Sequence, residues 1–251
     1  MTTIIGIKAS LGLEGVVFCS DTQLNHYVDG NLTKTETDKA DKILLGKKWM
    51  MGFAGAFDKD ISHFLRSLTQ PKRYGSTHHD SFSIIASAIK RYELGTKYKK
   101  PHFPELNSYN LMALRNGTKL DDLSTLLMAA HFSGNVDMWE IDEFGNLKQP
   151  QKEKEIEYLA IGSSSSIVDE YFERLLNDET TDKIDQSRID IPTAIDLAVG
   201  ALDLAENDPD TSGMNIAVLT KNGAREYGHS IRAAVDIARK KEIESIKRKY
   251  R

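Results

Sequence analysis

The order of strand-like and helix-like segments along the chain constrains its fold more than any other feature. Short runs of β-type residues come in blocks, and segments with helical periodicity lie between the blocks rather than after every strand. A doubly wound α/β fold requires strands and helices to alternate, so this order argues against it. We therefore predict an α+β fold in which two antiparallel sheets are flanked by helices.

The first half of the chain supplies one block of strands and two helices. Strands are predicted at residues 4–9, 15–19, 42–45 and 49–53, and helices at 58–68 and 81–92. Residues 25–41 are polar and are predicted to form a loop or a ragged hairpin. Residues 95–107 contain Gly95, Pro101 and Pro104, and are predicted to be an exposed insertion.

The second half repeats the order of strands followed by helices. Strands are predicted at residues 124–132, 137–142, 157–161 and 216–220, and helices at 166–176, 192–206 and 230–251. We divide the chain into a main domain, residues 2–228, and a basic C-terminal helix, residues 229–251. That helix is expected to be solvated or packed within an oligomer; the alternative is a docking element for a partner.

Composition excludes several classes of function. The 251 residues carry a formal net charge of -4, which is too little charge of either sign to indicate binding of nucleic acid. The sequence has no apolar run of the roughly 18 residues that a membrane span needs, and its start lacks the features of a secretory signal. Cys19 is the single cysteine, so no internal disulfide can form and a reducing compartment is expected. We predict a cytoplasmic protein with no nucleic-acid or membrane partner.

Metal and nucleotide sites are not indicated either. His78 and His79 are adjacent, so their side chains do not converge on one face of a helix or strand. Cys19 lies in an apolar strand, where a small buried thiol is expected. The sequence has no glycine-rich loop of the phosphate-binding type. We therefore predict no metal and no cofactor.

Thr2 is the residue whose position in the chain most clearly suggests a chemical role. An N-terminal threonine can act as its own catalytic pair, because its α-amino group titrates close to neutral pH and can take the proton of its hydroxyl. The only requirement is removal of Met1, which is reasonable before a residue as small as threonine. On its own, however, a Met-Thr-Thr start is a weak signal.

Five short motifs, the first of which contains Thr2, strengthen this signal when they are considered together. They are Thr2-Thr3-Ile4-Ile5-Gly6-Ile7, Ser20-Asp21-Thr22-Gln23, Asp41-Lys42-Ile43, Gly52-Phe53-Ala54-Gly55 and Ala160-Ile161-Gly162-Ser163. In their order and approximate spacing they resemble the proteasome β-subunit family and its bacterial relative, the HslV-type peptidases. The resemblance covers residues 2 to about 222 and leaves out the C-terminal helix.

The resemblance implies a role for each matching residue. Thr2 would be the nucleophile, and Asp21 would hold a nearby lysine charged and oriented. Lys42 is the best match to that lysine, with Lys39 as the alternative because the preceding loop varies in length. Gly55 would offer its backbone N–H to the oxyanion.

Three further assignments follow from the same resemblance. Phe53 would lie beside the first substrate side chain, with core packing as the alternative. Ser163 would hydrogen-bond the catalytic amine, with a loop and helix cap as the alternative. Ser212 would lie near Thr2 together with an aspartate. The family has Asp-x-x-Ser-Gly here, but this chain has Pro209 at the aspartate position, so we assign Asp208, with Asp210 as the alternative.

As a whole, the resemblance implies a four-layer αββα sandwich, the fold of N-terminal nucleophile hydrolases. It implies a threonine endopeptidase that cleaves polypeptide substrates inside a homo-oligomeric ring, with an ATPase unfoldase ring as a possible partner. The loop around Ser212 is nearer the HslV type than the proteasome β type. Two alternatives keep the fold: an amidase or transpeptidase that uses the same threonine, and a non-catalytic ring subunit.

Overall fold

The structure is a computed structural model, and it describes eleven segments of the chain. These are residues 2–22, 24–28, 31–36, 42–55, 104–115, 123–132, 134–150, 156–177, 189–205, 214–230 and 235–250. The helices predicted at 58–68 and 81–92 lie outside the described residues. So do Lys39, Asp208, Asp210 and Ser212.

The first sheet brings the start of the chain next to a strand from its second half. Its strands are β1 (Thr3–Ala9), β2 (Gly15–Ser20), β10 (Tyr158–Gly162), β11 (Met214–Thr220) and β12 (Gly223–Ser230). They are antiparallel, in the order β10-β1-β2-β11-β12. Thr3 lies opposite Gly162, and Ile4 lies opposite Ser20. The start of β1 and the ends of β2 and β10 therefore share one end of the sheet.

The second sheet follows chain order and is also antiparallel. Its strands are β5 (Ile43–Leu45), β6 (Trp49–Ala54), β7 (Thr125–Phe132), β8 (Asn135–Ile141) and β9 (Leu147–Lys148). A separate two-stranded hairpin, β3 (Leu24–Val28) and β4 (Asn31–Glu36), lies between β2 and β5 in the chain. The ragged hairpin predicted within residues 25–41 is thus present, since the register of the two strands shifts between His26 and Tyr27; residues 37–41 lie outside the described part of the chain.

Four helices are described, and two of them cover the first sheet. The helices are α1 (Pro104–Arg115), α2 (Ser165–Asn177), α3 (Ile191–Ala205) and α4 (Val235–Tyr250). Both α2 and α3 pack on the first sheet, with α3 against β1 and β2. None of the described helices has the length and apolar character needed to cross a lipid bilayer. The coarse prediction of an α+β fold with two antiparallel sheets and helices is confirmed.

The alternating side chains of β1 join the two cores of the molecule. Ile5 and Ile7 are fully buried in the core between the first sheet and its helices. Ile4 is fully buried in the other core, between the two sheets. Because both faces of β1 are covered, the strand is apolar along nearly its whole length, and its start is held rigidly.

The start of α3 shows why its predicted boundaries are close to those observed. Asp190 caps the helix, since its Oδ1 accepts the N–H of Thr193 at 2.8 Å. Pro192 lies in the first turn, where the missing N–H costs nothing.

The prediction of an exposed insertion at residues 95–107 is wrong at its C-terminal end. Pro104 begins α1, and Leu106 is fully buried within it. Proline often breaks helices, but at the first position of a helix it is favoured. Residues 95–103 lie outside the described part of the chain.

The C-terminal helix packs on its own chain. Ile243 and Ile246 belong to the core shared with α3, and the buried Lys247 forms an ion pair with Asp196 of α3. Tyr250 is hydrogen-bonded to Tyr227 of β12. The predicted helix is therefore present at 235–250, but one of its faces is buried against the main domain rather than solvated.

Candidate functional site

Thr2 lies at the end of the first sheet where β1 begins. It is buried, with 7% of its surface exposed. Its carbonyl oxygen accepts the N–H of Ser163 at 3.0 Å, directly beyond the pairing of Thr3 with Gly162. The pairing of β1 with β10 thus continues to Thr2 and fixes the position of its main chain.

Gly162 allows this close approach. Its φ is +104°, a backbone conformation that residues other than glycine rarely adopt. A Cβ at this position would overlap the carbonyl oxygen of Thr2. The motif that contains Gly162 gives no sign of this structural role, because the role depends on which strand lies beside β10.

Asp21 joins the start of β1 to the second sheet. Its side chain is fully buried, and its Oδ1 accepts the N–H of Thr3 at 2.7 Å. Its own N–H donates to the carbonyl oxygen of Thr3 at 3.1 Å. Its second oxygen, Oδ2, accepts a hydrogen bond from Lys42 Nζ at 2.6 Å. One carboxylate therefore holds both the residue next to Thr2 and a charged lysine.

Lys42 reaches this carboxylate from the position just before β5. Its side chain is 6% exposed, so the ion pair with Asp21 is buried. The structure thus brings Lys42 into the candidate site, while the alternative, Lys39, lies outside the described residues. Removing water from an ion pair is costly, and such a pair persists only where hydrogen bonds satisfy it, as the N–H of Thr3 does here.

Ser163 contacts Thr2 through its main chain and leaves its side chain available. Its hydroxyl oxygen is buried and has no hydrogen-bond partner within the described part of the structure. The next residue, Ser164, is fully buried, and its carbonyl oxygen accepts the N–H groups of Ile167 and Val168 in the first turn of α2. Ser164 therefore caps the start of α2 with its carbonyl oxygen. The hydroxyl group of Ser163 is placed to bind a further group.

Gly55 and Phe53 lie at the end of β6, which is stacked over the start of β1. A Cβ on Gly52 would be only 2.8 Å from Ile4 Cδ1, so the two strands touch near this point. Phe53 is 5% exposed, and its N–H donates to the carbonyl oxygen of Lys42 at 3.0 Å. Its side chain is thus packed in the interior. Gly55 follows the strand with a φ of +128° and is partly exposed.

Of the eight predicted site residues, six lie within the described part of the chain, and the side chains of Asp21 and Lys42 meet beside the start of β1. Thr2, Asp21 and Lys42 lie at the shared end of the two sheets, with Ser163 against Thr2 and with Phe53 and Gly55 on the adjoining strand. Ser212 and Asp208 lie outside the described residues, although β11 begins at Met214, in the same sheet.

The arrangement can support nucleophilic chemistry by a hydroxyl. Lys42 places a buried ammonium group on the carboxylate that binds the N–H of Thr3, the residue after Thr2, and a positive charge near a hydroxyl favours the ionised form of that hydroxyl. Within the described ranges, no group of three or more His, Cys, Asp or Glu side chains is placed to hold a metal ion. The sequence matches no model of a known protein family, and it matches no curated protein.

Proposed function

We propose that this protein is an N-terminal-threonine endopeptidase of the proteasome β-subunit and HslV type. Removal of Met1 would make Thr2 the nucleophile. The observation that carries the proposal is the carboxylate of Asp21, which binds the N–H of Thr3 and the ammonium group of Lys42 at the same time. That bridge brings a buried positive charge to the start of the chain, where an N-terminal nucleophile needs it.

The proposed reaction begins with attack of Thr2 Oγ on the carbonyl carbon of a peptide bond. The α-amine of Thr2 takes the hydroxyl proton, and the N–H of Gly55 stabilises the resulting oxyanion. When the tetrahedral intermediate collapses, the amine returns the proton to the leaving nitrogen. Water then attacks the ester carbon with the amine again as base, and Thr2 Oγ leaves with a proton.

The other site residues support these steps. Lys42 lowers the cost of ionising the Thr2 hydroxyl, and Asp21 keeps the lysine charged and oriented. Ser163 is suited to hydrogen-bond the free amine, because its hydroxyl is buried and unpartnered among the described groups. Ser212 and Asp208 are proposed to lie near the same amine. Phe53 would contribute to the pocket for the first substrate side chain.

At the level of architecture, we propose the four-layer αββα sandwich of N-terminal nucleophile hydrolases. The described residues supply support for three of its layers: the helices α2 and α3, the first sheet, and the second sheet. We further propose a homo-oligomeric ring in the cytoplasm that acts on polypeptides, needs no cofactor and receives substrate from an ATPase unfoldase ring.

A peptidase assay on a set of N-terminal variants tests this function. Thr2→Ala should abolish cleavage of a fluorogenic peptide, and Thr2→Ser should retain part of it because a hydroxyl is preserved. Thr3→Ala is the matched control, since it removes a neighbouring hydroxyl but keeps the N–H that binds Asp21. Cleavage by a pure preparation of Thr2→Ala would refute the proposal.

Two other outcomes of the same assay distinguish the alternative functions. If adding a competing amine diverts the acyl group to a new amide, the protein is a transpeptidase or amidase that uses the same nucleophile. If the wild-type protein retains Met1, forms a ring and cleaves nothing, it is a non-catalytic ring subunit.

A further inference from the structure

Helix α1 contributes one buried polar side chain, Asn110, which is only 2% exposed. Its Nδ2 donates to the carbonyl oxygen of Ser124 at 2.8 Å and to the carbonyl oxygen of Glu143 at 2.8 Å. Its Oδ1 accepts the N–H of Ser124 at 3.0 Å. Both amide hydrogens are therefore used, and both main-chain groups of Ser124 are held by one side chain.

Ser124 is the main-chain neighbour of Gly55. The β6–β7 ladder pairs Ala54 with Thr125, so Gly55 and Ser124 lie next to each other just beyond its end. The contact is tight, because a Cβ on Gly55 would lie 2.7 Å from Ser124 Cα and 3.0 Å from the carbonyl oxygen of Leu123. Ser124 therefore blocks movement of Gly55 in its direction. If Ser124 shifted away, Gly55 would gain room to move.

We propose that Asn110 is a positioning residue that fixes the N–H of Gly55 through the main chain of Ser124. The inference rests on the proposed function, in which this N–H binds the oxyanion. Because oxyanion donors act through their fixed placement, a small displacement is enough to weaken them. Asn110 also binds the carbonyl oxygen of Glu143, in the turn after β8, so α1 is joined to two connecting segments at this edge of the second sheet.

Two inhibitors separate this role from general stability. A peptide aldehyde forms a hemiacetal with Thr2 whose oxygen occupies the oxyanion position, whereas a peptide vinyl sulfone alkylates Thr2 without forming an oxyanion. Asn110→Ala should weaken aldehyde inhibition and kcat by about tenfold or more. The rate of vinyl sulfone labelling and KM should change by less than about twofold, since Thr2 itself is not moved.

Asn146→Ala is the matched control. Asn146 lies in the β8–β9 turn and bonds Asp142 through its side chain, so this variant also loses an asparagine's hydrogen bonds near Glu143. It does not touch Ser124, and it should leave both inhibitors unchanged. An equal loss of aldehyde and vinyl sulfone reactivity in Asn110→Ala would overturn the positioning role.

Amide hydrogen exchange gives a readout that needs no activity and no variant. In the wild-type protein the N–H of Ser124 should exchange as slowly as the N–H groups inside the β6–β7 ladder. Exchange at the rate of an exposed amide would overturn the inference even if Asn110→Ala failed to fold. A wild-type protein that reacts with neither inhibitor would refute the proposed function instead, while slow exchange at Ser124 would still support the contact.

Discussion

Lys42 Nζ lies 2.6 Å from Asp21 Oδ2, although 21 positions separate the two residues and the β3–β4 hairpin lies between them. The contact closes the chain segment that contains the hairpin into a loop whose two ends meet at the candidate site. It also links the first sheet, through β2, to the second sheet, through β5. The ion pair therefore supplies the charge at the site and adds a polar contact to the apolar core that packs the two sheets together.

Removing either partner of this ion pair should destabilise the protein strongly. Asp21→Asn and Lys42→Met should each cost about 3–5 kcal/mol, because each leaves a buried group without its opposite charge. The double variant should cost less than the sum of the two single variants. Urea unfolding measures all three free energies, and strictly additive costs would contradict the contact.

A surface ion pair offers the control for this prediction. Lys148 is 54% exposed and pairs with Glu140 at 3.2 Å. Lys148→Met should cost less than about 1 kcal/mol, since the lysine lies largely in water and Glu140 is partly exposed. In the peptidase assay, only the variants at Asp21 and Lys42 should lose activity.

Gly162→Ala tests whether the β1–β10 pairing holds the candidate nucleophile. Gly134 is the control, since its φ of +94° is similar but no atom of the described residues lies within 4 Å of the position that a Cβ would occupy. Gly134→Ala should cost about 1–2 kcal/mol from backbone strain alone. Gly162→Ala should cost more, because its Cβ would collide with the carbonyl oxygen of Thr2.

The same pair of variants should differ in reactivity. Displacing Thr2 by about 1 Å is enough to slow its acylation by up to about 100-fold. We therefore expect slow labelling of Gly162→Ala by a threonine-directed inhibitor and normal labelling of Gly134→Ala. Equal stability and equal labelling of the two variants would mean that the contact with Thr2 does not matter.

The regular elements were predictable because their patterns are local. The strand at β1 follows from a short apolar run that ends before a turn, and the helix at α3 follows from helical spacing; their observed bounds differ from the predicted ones by one residue where both are described. The start of α1 was missed because Pro104 is equally compatible with a loop and with a first helical turn.

Some residues of the candidate site could be predicted from the sequence, but the contacts between them could not. Asp21 and Lys42 were identified from short motifs, yet the hydrogen bond from the N–H of Thr3 to Asp21 involves a main-chain group, which has no sequence signal. Asn110 was missed for a related reason. Its partners are main-chain atoms of residues 124 and 143, and only the folded topology brings them to one side chain.

Lys8 lies at the end of β1 away from Thr2, and it should make the stability of the protein depend on pH. Burial lowers the pKa of Lys8, but its hydrogen bond to Asp137 at 2.7 Å and the nearby carboxylates of Glu157 and Glu14 outweigh this effect and raise the pKa overall. Since the folded pKa is above the unfolded one, the stabilisation is complete below the unfolded value of about 10.4 and is lost as pH rises through the folded value.

Lys8→Met should therefore make stability less sensitive to alkaline pH. Above a pH of about 10, the free energy of unfolding should fall more steeply with rising pH for the wild type than for this variant. Lys221→Met, at an exposed lysine in the β11–β12 turn, is the control and should follow the wild type. A wild-type curve parallel to that of Lys8→Met would contradict the role of the Asp137 contact.

The central claim is that Thr2 becomes an N-terminal nucleophile, and intact-mass measurement tests it most directly. The purified protein would be weighed with and without a covalent threonine-directed inhibitor, alongside Thr2→Ala and Thr3→Ala. The account predicts loss of the Met1 mass and a single adduct in the wild type and in Thr3→Ala, with no adduct in Thr2→Ala. A wild-type protein that keeps Met1 and forms no adduct, or an adduct that persists in Thr2→Ala, would contradict it.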